Sequence, residues 1–202
     1  MFEIIGNRKI DEIVSNYRHN MILTCDDKRK IWKEVAKTEA KFNLSSMAIK
    51  ASILRSWVDL ISRINLAVDN TLFYISLNEN GCLMIDPRIF TKFRVSDKKD
   101  YIKNEKELYI FIQFMAEKFY EDFVLLNSIF KDSYFNEGIR QGLLFWYLKY
   151  RILSEKNSTN YNIHILKFLD IIFRNKLFII LYFISLLPYS IRKYFVNRYF
   201  IR

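Results

Sequence analysis

Apolar positions recur at three and four residues along most of the chain, and at two residues only in short runs. Over residues 9–20, Ile10, Ile13, Val14 and Tyr17 share one helical face, and Met21–Cys25 follows as a short strand. Trp32, Val35, Ala36 and Ala40 predict an amphipathic helix over Ile31–Lys41. From Ala48 to Ile64 a single stripe of Ile53, Leu54, Trp57, Leu60 and Ile61 predicts one continuous helix.

The pattern then changes. Asp69 and Asn70 are N-cap types ahead of a short apolar helix through Leu72, Phe73, Ile75 and Leu77. Asn78-Glu79-Asn80-Gly81 is a stop signal, with Gly81 free to take a positive φ. Cys82–Ile85 is too short for a helix and is bounded by turn formers, so it reads as a buried strand closed by Asp86-Pro87. Phe90 to Ser96 alternates as a second strand carrying Arg94. Together these elements predict a mixed α/β fold, rich in helix.

Beyond a polar loop at 96–107 the helical period returns. Leu108, Phe111, Ile112, Met115, Phe119 and Phe123 predict a long helix over 105–127, loosened at Phe130–Asp132. A second helix follows over 133–153, in which Gly138 and Gly142 would permit close helix contact. Residues 154–160 read as a linker. Leu177–Ile191 is then uncharged throughout but interrupted by Pro188, and is shorter than the roughly 20 apolar residues a bilayer-spanning helix needs. The expected domains are 1–103, an α/β region; 104–158, helical; and 159–202, basic amphipathic and apolar helices.

Charge sharpens the reading of that last segment. The net charge is +10, and residues 159–202 hold seven Lys or Arg against one acid, Asp170. Cations beside a short apolar helix, with Tyr182, Tyr189, Tyr194 and Tyr199 near its ends, fit an interfacial helix on an anionic membrane surface. Trp57 can stack on a sugar ring or fill a core. Nucleic acid is the weaker partner, because the cations gather beside an apolar run rather than on a polar helix or sheet face. His19 and His164 lack zinc-ligand spacing, and the Asp26-Asp27 pair is followed by three cations that offer ready pairing. No glycine-rich phosphate loop or nucleophile elbow is present. Cys25 and Cys82 fit reduced thiols in an intracellular protein, with a disulfide between them as the lesser alternative.

The order Ser45-Ser46-Met47, then Asp69 leading into Leu72-Phe73, then a glycine turn, an apolar strand and Phe90-Thr91-Lys92-Phe93-Arg94-Val95 resembles the acceptor-side, C-terminal half of family 2 glycosyltransferases of the GT-A type. The likeness covers residues 10–100. It implies a partial GT-A-like sheet with packed helices and transfer of a sugar from a nucleotide-sugar donor to a glycan or lipid acceptor. Asp69 would be the general base and Arg94 the partner of the donor diphosphate; Ser45, Ser46 and Trp57 would stand on the acceptor side. Capping of the next helix is the favoured reading for Ser45 and Ser46, and Asp69 serves equally as the cap of its own.

The chain departs from that family in two ways. Ser96 stands where the family often has His, and no Asp-x-Asp motif is present to hold the divalent Mg or Mn ion that the resemblance implies. The family's nucleotide-binding half has no counterpart before Met1, which suggests inactivity without another chain to supply it. The expectation is a glycosyltransferase-like protein at the cytoplasmic face of a membrane. The alternative is a non-catalytic, membrane-associated interaction protein or subunit.

Overall fold

The computed structural model describes residues 22–24, 28–29, 32, 47–85, 105–155 and 168–199. The expected helices over 9–20 and 31–41 fall mainly or wholly outside these residues, as does the strand carrying Arg94. Contacts divide the chain into two compact units, 1–98 with 133–135, and 99–132 with 136–202.

Unit 1 is built on α3 (Val68–Asn78), preceded by β1 (Ile22–Thr24), α1 (Ala51–Ser56) and α2 (Val58–Ser62), and followed by β2 (Leu83–Ile85). Seven residues of α3 are buried, including Leu72, Phe73, Tyr74 and Ile75. A helix covered on so many sides must satisfy its polar side chains internally. Thr71 Oγ1 donates to Ala67 O at 2.8 Å and Ser76 Oγ to Leu72 O at 2.8 Å, each bonding back one turn. The Tyr74 ring stacks on Phe135 at 5.6 Å, and Tyr134 Oη donates to Leu77 O at 2.9 Å. A two-residue aromatic clamp from far along the chain therefore covers α3.

The helix stops as its sequence demands. Glu79 turns extended, and Gly81 takes φ +109°, where a side chain would be strained. β2 then pairs antiparallel with β1, Thr24 opposite Leu83 and Ile22 opposite Ile85. These two three-residue strands are the only sheet among the described residues.

The α/β expectation is thus corrected: the described fold is helix-rich, without a GT-A-like sheet. Runs of three residues cannot offer a sheet face wide enough to organise packed helices. The apolar periodicity elsewhere is that of helices, and α3 is covered by aromatic rings. The continuous helix expected over 48–64 is also corrected. Trp57, at φ −116° and ψ 14°, ends α1 and begins α2; α1 buries nothing and α2 only Leu60.

Cys82 is disulfide-bonded, contrary to the expected reduced thiol. The sequence has one other cysteine, Cys25, which directly follows Thr24 and lies outside the described residues.

Unit 2 is all helix: α4 (Glu105–Ile129), α5 (Asn136–Leu153), α6 (Leu169–Arg174), α7 (Lys176–Leu186) and α8 (Tyr189–Tyr199). Asn127 meets Asn136, Phe119 stacks on Trp146 at 4.3 Å, and Tyr109 Oη donates to Leu153 O at 2.5 Å. Positions fall on α4 as they rise on α5, so the pair is antiparallel. Gly142 permits the approach, because a Cβ there would overlap the Phe123 ring. α7 and α8 both pack on α5. Arg140 and Glu137 of α5 reach Asp170 and Arg174 of α6, at 3.4 and 3.6 Å. Leu187 is extended, as a residue before proline must be, and Pro188 separates α7 from α8.

Candidate functional site

Asp69 is the second residue of α3, half-buried in its first turn. Ala67 occupies the N-cap position, so the capping role the sequence allows for Asp69 is not the one it takes. A carboxylate in the first turn still faces the positive end of the helix dipole.

Trp57 belongs to the other end. Its indole N–H donates to Glu79 Oε1 at 2.6 Å, and Lys28 Nζ donates to Ser76 O and Glu79 O, both at 2.6 Å. Burial pulls the Lys28 ammonium below its ordinary pKa, while the Glu79 charge opposes that shift. Together they tie down the carbonyl end of α3. Asp69 and Glu79 are ten residues apart on and just beyond the helix, about 15 Å at 1.5 Å per residue. Trp57 and Asp69 therefore sit at opposite ends of α3. Ser45, Ser46 and Arg94 lie outside the described residues. No group of three His, Cys, Asp or Glu side chains among the described residues is placed to hold a metal ion, so no step is assigned to one.

Unit 2 presents a different kind of surface. Asn175 caps α7 through its Oδ1, which accepts from Leu177 N at 2.9 Å. Phe178, Leu181 and Ser185 face inward, spaced by three and four as one helical stripe. The opposite side is no less apolar, yet Leu177, Ile180, Phe183 and Leu186 are 50 to 62% exposed. Phe173 at the end of α6 is 73% exposed, and Ile191 and Tyr194 of α8 are also exposed. No protein-family model matches this chain, and no curated protein or solved structure does either. The assignment therefore rests on this geometry.

Cations edge the apolar side. Arg174, Lys176 and Lys193 are exposed, and no acidic residue occurs between Ile171 and Arg202. No helix among the described residues is long and apolar enough to cross a membrane. The linear pattern shows that this segment is apolar and basic. It does not show which side of α7 is left uncovered, because every side of Leu177–Ile184 is hydrophobic.

Proposed function

We propose that this protein binds the surface of anionic membranes, with α7 lying in the interface and its uncovered side turned to the lipid. The observation that carries this reading is an all-round apolar helix with only one stripe buried. A helix that is hydrophobic on every side belongs either in a core or in contact with lipid. Fully burying a large apolar side chain is worth about 1.5–3 kcal/mol, so covering the exposed halves of four or five such residues gives roughly 4–6 kcal/mol. Each Lys or Arg beside an anionic leaflet adds about 1 kcal/mol. The two contributions act at the same place and suffice for reversible attachment without a spanning helix.

The test is co-sedimentation of the intact chain with vesicles of neutral phosphatidylcholine or of phosphatidylcholine with phosphatidylserine. Retention on the anionic vesicles, weakening as salt rises, is the expected outcome. Equal failure on both, or a lipid-free dimer that covers the α7 side, overturns it.

Sugar transfer at that surface is a second reading. It is supported by the sequence resemblance and by the half-buried place of Asp69 in the first turn of α3. Donor-sugar transfer by the purified chain, lost in Asp69→Asn, would support it; transfer undiminished in that variant would remove Asp69 from it.

A further inference from the structure

Arg192 is the least expected buried side chain of unit 2. It is 4% exposed, its Nη1 donates to Arg151 O, and its Nε is buried with no acceptor among the described residues. Arg151 is close enough for its charge to be felt at Arg192, which burial and that like charge both weaken as a cation. Lys193 lies over the rings of Tyr109 and Tyr189, at 5.9 and 6.0 Å, and the Arg192 guanidinium lies 5.7 Å from the Tyr189 ring. The hydroxyls form a chain: Tyr189 Oη donates to Tyr109 Oη at 3.3 Å, and Tyr109 donates in turn to Leu153 O.

Part of this arrangement closes the carbonyl end of α5, since Arg151 O accepts from Arg192 and Leu153 O from Tyr109. That explains one guanidinium donor and one hydroxyl, but not three cations. A helix end is equivalent to about half a negative charge. The Glu155 carboxylate, near enough to be felt at Tyr109, supplies one more. Against Arg151, Arg192 and Lys193 these leave roughly one and a half positive charges, which a phosphomonoester, at about −1.5 to −2, would balance and a singly charged phosphodiester would not. Lys193 is exposed, Arg151 half-exposed and Arg192 buried.

We propose that Arg151, Arg192 and Lys193, with the Tyr109–Tyr189 hydroxyl pair, form a binding site for a phosphomonoester dianion. As a lipid headgroup the ligand would rest on the membrane reading above; as a free phosphate it would not.

The experiment compares vesicles carrying phosphatidic acid with vesicles carrying phosphatidylserine at matched surface charge, and separately follows the melting temperature as inorganic phosphate is added. A lipid-borne ligand gives at least a fivefold preference for phosphatidic acid, reduced to parity in the Arg151→Gln/Lys193→Gln variant, whose phosphatidylserine binding falls only modestly. A free phosphate gives a rise in melting temperature that the same variant abolishes, with no headgroup preference. Both results support the site. Equal vesicle binding together with no response to phosphate overturns it and leaves the membrane reading standing, whereas loss of binding to both vesicle types with a retained phosphate response overturns the membrane reading alone. Arg192→Lys provides a folded control for the buried position, keeping the charge while removing the Nε donor geometry.

Discussion

The helices α3 and α7 are equally long, 11 residues each, and they resolve their hydrophobicity in opposite ways. α3 contains Asp69, Asn70, Thr71 and two further Asn or Ser positions, yet seven of its residues are buried. α7 is almost wholly apolar and buries three. The difference shows that burial follows what surrounds a helix rather than how hydrophobic it is. α3 has an aromatic clamp at Tyr134-Phe135, a lysine cap and a tryptophan tie. α7 buries one stripe against α5, and the rest of its apolar surface is what the proposed membrane contact would cover.

The largest expected effect that separates the two falls in α3. Phe135→Ala removes the ring stacked on Tyr74 and should cost about 3–5 kcal/mol of unfolding free energy, read by denaturant titration. Next comes Leu177→Asp combined with Phe183→Asp, which should leave the melting temperature nearly unchanged. The same variant should lower anionic-vesicle affinity about 100-fold, from two side chains at about 1.5 kcal/mol each. A pair of charges that instead unfolds the chain would make α7 a core helix, and the contrast would collapse.

A smaller effect is expected at Gly142→Ala, where the new methyl must displace the Phe123 ring at a cost of about 1–3 kcal/mol. The smallest concerns alkali. Burial raises the Tyr74 hydroxyl well above its ordinary pKa of 10.0. The unfolded chain therefore loses that proton first. The associated stability is fully present below pH 10 and is lost as pH rises beyond it, by up to about 1.4 kcal/mol per pH unit. Tyr74→Phe should flatten that part of the alkaline unfolding curve.

Much of the helical layout is legible in the linear pattern. The repeat from Leu108 to Phe123 lies in α4, the loosening at Phe130–Asp132 ends it, and Gly81 takes the positive φ its turn requires. Cys82–Ile85 contains β2, and Gly142 sits against the facing helix. What the pattern hides is non-local. The stripe through Trp57 is a valid helical face, but a bond from its indole to Glu79 holds a break there. Asp69 has the chemistry of a cap, yet the helix starts at Val68 with Ala67 as its N-cap. The Tyr134-Phe135 clamp and the Cys82 disulfide join positions that no local rule pairs.

The candidate sites divide the same way. A basic, apolar C-terminus is visible as composition, whereas its uncovered side is visible only once Phe178, Leu181 and Ser185 are seen facing α5. Nothing in the spacing marks Tyr109 as the partner of Tyr189, 80 residues away.

The most direct measurement places an environment-sensitive fluorophore on α7 through Phe183→Cys and adds vesicles with chain-brominated anionic lipids. Blue-shifted emission that the brominated chains quench, with no such change on neutral vesicles or for a label at Asp132→Cys, is the predicted result. Emission at position 183 that stays water-like when anionic vesicles are present would contradict the account.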